Sequence, residues 1–177
     1  MITSDVASIL KGKIRDIPNF PKEGILFRDL TPLLKDPETF DLAIRQFVER
    51  FQGLEIDYVV GVESRGFILG APIAQGLKAG FIPVRKPGKL PYLTNRAEYQ
   101  LEYGTDALEI HQDAVEPGKR VLIVDDLLAT GGTISATVDL VKRCGGEVTG
   151  VAFLVELTAL GGRDKLSDLD VFSLILY

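Results

Sequence analysis

From residue 57 onward, short aliphatic runs alternate with stretches of helical periodicity. The runs DYVVGVE (57–63), FIPVRK (81–86), RVLIVDD (120–126), EVTGVAFLVEL (147–157) and VFSLILY (171–177) predict strands covered on both faces. Between them, GFILGAPIAQGLKAG (66–80) predicts a helix, and so does 133–144, with Ile134, Val138 and Val141 facing inward. YQLEYG and ALEIH, within 99–111, predict a hairpin beside an aperiodic, mobile loop at 87–97. Upstream, Val6, Ile9, Leu10, Ile14 and Ile17 predict an amphipathic N-terminal helix. The segment 19–34, broken by prolines and a glycine, predicts an irregular hood. Asp36, Pro37 and Glu38 then start a helix that buries Phe40, Ile44, Phe47, Val48 and Phe51 and ends near Gly53. The order predicts an α/β protein: a mostly parallel twisted sheet flanked by helices, with a small N-terminal hood and a flexible hairpin loop. Without repeat or linker, 1–177 reads as a single domain.

Charge and cysteine content narrow the function. A net charge of −5 argues against non-specific binding to nucleic acid or to an anionic membrane, so any anionic ligand must be met by locally clustered Lys and Arg. Cys144 is the one cysteine, which excludes an internal disulfide and fits a reducing compartment. No apolar run approaches the ~20 residues of a membrane span. The N-terminus has no signal-peptide core, so a cytoplasmic protein is expected. One His and one Cys supply no ligand-spaced metal set.

The densest chemistry is VLIVDDLLATGGT (121–133). Asp125 and Asp126 are adjacent at the end of an aliphatic strand, where ligands of open parallel sheets gather. Ala129, Thr130, Gly131, Gly132 and Thr133 then lead into a helix. Glycines let successive amides point into one concavity, and the helix terminus favours an anion by roughly 0.3–1 kcal/mol per charge. The turn suits a phosphate monoester, and a ligand carrying both hydroxyls and a phosphate accounts for acids and turn together. A strand-turn-helix connection with two capping acids is the plainer alternative. No P-loop and no GxGxxG is present. Two further anion sites stand out. Arg85, Lys86, Lys89 and Arg96 occur between 85 and 97 without an acid, as a diphosphate clamp or a solvated surface loop. Glu63-Ser64-Arg65-Gly66 again lies between strand and helix, and Arg65 offers forked donors to a diphosphate, or forms a surface ion pair.

VLIVDDLLATGGT resembles the signature of the type I phosphoribosyltransferases, which bind 5-phosphoribosyl 1-diphosphate. The segments Phe20-Pro21 through Asp29, Glu63 through Phe67, Arg85 through Pro91 and Leu101 through Gly104 are similar to the adenine-specific branch of that family, in order over nearly the whole chain. The resemblance implies the type I phosphoribosyltransferase fold and a glycosyltransferase (pentosyltransferase) that makes AMP and diphosphate from adenine and phosphoribosyl diphosphate, in purine salvage. It implies ribose hydroxyls on Asp125 and Asp126, the 5′-phosphate on residues 129–133, and diphosphate near Arg65, Arg85, Lys86 and Lys89. It also implies a non-proline cis peptide in the Glu63–Gly66 turn. Catalytic roles fall to Glu102, as acid/base for the adenine proton, and to Arg65 and Lys86; Tyr103 helps close the loop. Leu26, Phe27 and Arg28 form the adenine pocket, with Phe27 stacking on the purine. Magnesium arrives on the substrate rather than in a protein metal site, and the chain pairs as a homodimer.

Plainer readings remain for single residues: Glu102 on a solvated hairpin face, Tyr103 as a packed aromatic, Phe27 as an anchor for the hood, His111 as structural. Other purines remain as acceptors, although no Lys-bearing purine loop lies near the C-terminus. A regulator that senses phosphoribosyl diphosphate and binds RNA is disfavoured by the net acidity. A purely structural domain leaves the carboxylate pair without purpose.

Overall fold

A computed structural model describes residues 4–100 and 105–177. The N-terminal part comprises α1 (Ser4–Lys11), β1 (Arg15–Pro18), β2 (Leu26–Asp29), α2 (Thr31–Lys35) and α3 (Pro37–Phe51). Then follow β3 (Tyr58–Val62), α4 (Arg65–Leu77), β4 (Gly80–Val84), β5 (Thr94–Gln100) and β6 (Thr105–His111). The chain continues through β7 (Arg120–Leu128), α5 (Gly132–Arg143), β8 (Glu147–Glu156), two 3-10 turns (Thr158–Leu160 and Gly162–Leu166) and β9 (Val171–Leu176). Five strands form a sheet in the order β4-β3-β7-β8-β9, and every pairing in it is parallel.

The aliphatic runs are explained by burial on both faces. Val121, Leu122, Ile123 and Val124 of β7 are all fully buried, because β3 and β8 flank the strand and helices cover it. Consecutive residues go to opposite sides, as strand geometry requires. Val60, Ile123 and Phe153 pack with α5 and the β5–β6 hairpin. Val59, Leu122 and Leu154 pack with α1, α3 and α4. Each such side chain contributes about 1.5–3 kcal/mol relative to exposure. Helix α3 starts as its residues demand: Asp36 accepts from the Glu38 amide at 3.1 Å, with Pro37 at the first position.

One packing detail aims α4 at the future site. A Cβ on Gly66 would lie 2.9 Å from the Val124 carbonyl oxygen and 3.0 Å from Asp125 Oδ1. Only glycine lets the first turn of α4 rest directly on the end of β7, and this places Arg65 beside the two acids.

Several boundaries differ from the sequence reading. Helix α1 stops at Lys11; Gly12 follows, Ile14 packs on the core outside any helix, and Ile17 belongs to β1 opposite Phe27. The hood is more regular than its prolines suggest, since β1 and β2 pair antiparallel from Arg15–Asp29 to Pro18–Leu26. The aperiodic loop is shorter, because β5 begins at Thr94; polar Thr94, Asn95 and Arg96 hide a strand whose backbone pairs with β6. Strand β7 continues to Leu128 because β8 keeps pairing with it, whereas pairing with β3 ends at Val124. The twin acids thus pass the end of one neighbour while still bonded to the other.

Asp29 ties the hood together. Its carboxylate accepts from Arg15 Nε at 3.0 Å and from the Thr31 amide at 2.9 Å. Arg15, then Thr31, hold its pKa down to about 2. A carboxyl that takes up a proton less readily when folded contributes stability that is fully present above about pH 4 and disappears as pH falls toward 2. Asp29→Asn should therefore flatten the loss of unfolding free energy between pH 4 and 2 in urea titrations. An unchanged slope would show that this contact does not hold the hood.

Candidate active site

Beyond the carboxyl ends of β3 and β7 lies a cavity of about 360 Å³, lined among others by Arg65, Lys86, Asp125, Asp126, Ala129 and Thr133. The two acids are 8% and 7% exposed, so neither is freely hydrated. Asp125 Oδ1 accepts from the Asp126 amide at 2.8 Å, and Arg65 Nε donates to Asp126 Oδ2. Burial, and then the neighbouring Asp126 charge, push the Asp125 carboxyl well above its ordinary value. Burial pulls the Arg65 guanidinium down, but Asp126 and Asp125 more than reverse this and leave it raised. The pair is electrostatically asymmetric: burial and its neighbour raise the Asp125 carboxyl, whereas Asp126 has a cationic partner.

The turn after β7 presents unused donors. Among the described residues, the amides of Ala129, Thr130 and Gly131 have no acceptor. Gly131 has φ +79, the left-handed conformation glycine adopts without penalty, and it is buried. Helix α5 begins at Gly132, so its first amides face the same space. Ala129 and Thr130 are half-buried and Gly131 is buried, and amides clustered at a helix start suit an anion.

The basic groups are present but engaged. Lys89 Nζ and Arg85 Nε both donate to Glu63, the latter at 3.3 Å, and Glu63 also accepts from the Lys86 amide at 2.9 Å. Burial raises the Glu63 carboxyl, yet Lys89, Lys86 and Arg85 outweigh that and leave it lowered. Lys86 Nζ is bound by Asp106 and by the Tyr99 hydroxyl at 3.2 Å. Burial lowers the Lys86 ammonium, and these partners more than restore it. Arg96 points instead to Glu98. Sequence inspection found no acid between 85 and 97; the fold supplies acids from β6 and from the end of β3. The Glu63–Ser64 peptide is cis.

The hood residues lie outside this cavity's lining. Phe27 meets Phe20 edge-on with centroids 5.1 Å apart, and the Arg28 guanidinium lies 3.8 Å over the Tyr177 ring while pairing with Asp16. Leu26 is 46% exposed. Their side chains hold the hood, leaving backbone groups and the exposed Leu26 surface for a ligand. Lys89 and Arg85 reach the cavity wall through Glu63, while Glu102 and Tyr103 lie outside the described residues. Sequence reasoning passed over Glu63, Tyr99 and Asp106 as site residues. Glu63 stood in a recognised turn, but nothing near Asp106 in the sequence signals its contact with Lys86.

A larger groove of about 470 Å³ runs between α3 and β9, around Glu49, Arg50 and Phe172. Its arginines are already paired, Arg50 with Asp170 and Arg163 with Glu156, and its lining holds no adjacent pair of acids. Volume alone does not identify the reactive site; donor chemistry does.

Known proteins share this chain's sequence and fold. The phosphoribosyl transferase domain family matches residues 31–175. An adenine phosphoribosyltransferase from Clostridium perfringens is 60% identical over 168 residues, covering 95% of this chain and 98% of that protein. The crystal structure of adenine phosphoribosyltransferase from Thermoanaerobacter pseudethanolicus superposes with TM-score 0.94 at 54% identity, covering 97% of this chain and 99% of that one. The enzyme from Saccharomyces cerevisiae, solved with an imino-altritol bisphosphate and adenine, gives TM-score 0.91 at 43% identity over 97% and 99% of the two chains. Fold, cavity and whole-chain similarity together establish that this chain belongs to the phosphoribosyl transferase family, among the adenine phosphoribosyltransferases.

Proposed function

We propose that the cavity above β3 and β7 is where this chain transfers a 5-phosphoribosyl group from phosphoribosyl diphosphate to adenine, releasing AMP and diphosphate. The observation that carries the assignment is the convergence of buried acids, unpaired amides and cationic side chains on one cavity. Residues 129–133 take the 5′-phosphate. Asp125 and Asp126 accept from the ribose hydroxyls, as the family resemblance implies. Lys86 and Lys89, with Arg85 behind them, face the diphosphate once it displaces Asp106 and Glu63 as their partners, and Arg65 faces it from beside Asp126.

In the reaction the ribose C1–oxygen bond to diphosphate breaks and the C1–N9 bond to adenine forms. Positive charge grows on the ribose ring and negative charge on the departing diphosphate, so catalysis consists mainly of positioning and charge stabilisation. Glu102 is assigned the adenine proton and Tyr103 loop closure on family resemblance, and Leu26, Phe27 and Arg28 the purine. The imino-altritol and adenine complex of the Saccharomyces cerevisiae enzyme supports binding both substrate parts together.

Among the described residues no three His, Cys, Asp or Glu side chains gather as a metal site, and Asp126 is already held by Arg65. Family resemblance supports magnesium carried on phosphate and ribose oxygens and water. Its chemistry when bound is to offset diphosphate charge. No helix among the described residues is long and apolar enough to cross a membrane. Family resemblance supports a cytoplasmic homodimer in purine salvage, a pairing that sedimentation velocity reads directly.

Asp125→Asn combined with Asp126→Asn should weaken phosphoribosyl diphosphate binding by about a hundredfold or more, since hydrogen bonds to charged groups contribute roughly 1.5–3 kcal/mol each. The fold should survive, although Arg65 loses its charged partner; unchanged affinity in calorimetry would dismiss this cavity. Glu102→Gln should lower kcat by about 10²–10⁴-fold, the usual span of general acid–base catalysis, with KM for phosphoribosyl diphosphate little changed. A wild-type rate would reduce Glu102 to a surface residue.

A further inference from the structure

Residues 157–163 leave the end of β8 and arch back over the turn at 129–133. The Leu157 amide donates to the Leu128 carbonyl at 2.9 Å, so the arch springs from the strand beside the turn's own root. It returns at Gly162, which meets the turn backbone to backbone. A Cβ on Gly162 would lie 2.2 Å from the Ala129 carbonyl oxygen and 3.0 Å from the Gly131 nitrogen. A Cβ on Gly131 would lie 2.6 Å from the Gly162 carbonyl oxygen. No side chain fits between these segments, and a real atom at 2.2 Å would have to push the turn or the arch aside.

The next residue fastens the arch. Arg163 Nε donates to Glu156 Oε1 at 3.0 Å, and one of its terminal nitrogens to Glu156 Oε2. The other donates to the Val171 carbonyl at 2.9 Å. The Ser173 hydroxyl completes the cluster by donating to the same carboxylate. Glu156 is only 4% exposed, and Arg163, followed by Ser173, keeps its carboxyl below the ordinary range despite burial. A forked, charge-assisted pair of this kind fixes direction as well as distance. None of these residues lines the cavity.

We propose that Gly162 and the Glu156–Arg163 ion pair are positioning elements that hold residues 129–133 in the shape that receives the 5′-phosphate. The proposal rests on the reading of that turn as the phosphate site. Its unpaired amides can serve an anion only while they point into one space, and the contact at Ala129 and Gly131 lies within that set. Displacement by about 1 Å in such a cradle costs up to about a hundredfold in function.

The test compares two ligands that probe opposite ends of the site: ribose 5-phosphate, which needs the turn and the acids, and inorganic diphosphate, which needs the basic groups. Gly162→Ala should raise the ribose 5-phosphate dissociation constant by about ten- to a hundredfold, while diphosphate affinity stays close to wild type. Arg163→Lys, which keeps the charge but cannot span the same acceptors, should move the same ratio in the same direction less strongly, and it decides the matter if Gly162→Ala does not fold. Unchanged ribose 5-phosphate affinity in a folded variant, or equal losses for both ligands, overturns the proposal. Thr133→Glu, which sets a carboxylate on the cavity wall at the turn, is the reference: if it leaves ribose 5-phosphate binding intact, the phosphate-site reading falls and the proposal with it. If it weakens binding while Gly162→Ala and Arg163→Lys do not, only the positioning role falls.

Discussion

Two neighbouring carboxylates, buried where the central strand outruns one of its partners, are the constraint from which the rest of the site follows. Two unit charges ~4 Å apart near a protein surface repel by about 4 kcal/mol, enough to move a protonation equilibrium by roughly three powers of ten. The chain accommodates them by bringing Arg65 to Asp126, while burial and the neighbouring charge push the Asp125 carboxyl upward. Arg65 can reach because it opens α4, and α4 can approach because Gly66 has no side chain to strike the end of β7. The sheet, the helix crossing and the charge arrangement are thus one construction.

A second feature is the way opposite charges stand in for the ligand. Glu63 gathers Lys89, Arg85 and the Lys86 amide, and Asp106 holds the Lys86 ammonium. Without such partners, a cluster of cations in and around the cavity would repel itself. On the function we propose, a diphosphate exchanges these carboxylates for its own oxygens, with the basic groups already oriented. Partly exposed ion pairs are individually weak, about 0–1 kcal/mol, which suits contacts that must be exchanged.

Much of this was legible in the residues. The aliphatic runs marked the parallel sheet because burial on both faces leaves no polar alternation. The VLIVDDLLATGGT stretch marked the site because acids followed by an amide-rich turn have few other uses. What stayed hidden depends on contacts across long sequence separations. The Lys86–Asp106 pair, the Glu63 cluster and the seating of Gly162 on Ala129 arise only once β6, β3 and the arch after β8 converge. The start of β5 was masked because a two-stranded ribbon is held by backbone pairing, and Thr94, Asn95 and Arg96 carry no apolar rhythm. Helix α1 looked longer because Ile14 is core-facing at a helical interval although the helix has already ended.

The central claim is a location: sugar hydroxyls on the twin acids and phosphate on the amides beside them. A crystal structure with AMP bound tests it most directly. The account predicts phosphate oxygens about 3 Å from the amides of residues 130–133 and ribose hydroxyls within hydrogen-bond reach of Asp125 and Asp126. Nucleotide seated in the groove between α3 and β9, with the end of β7 untouched, would contradict it.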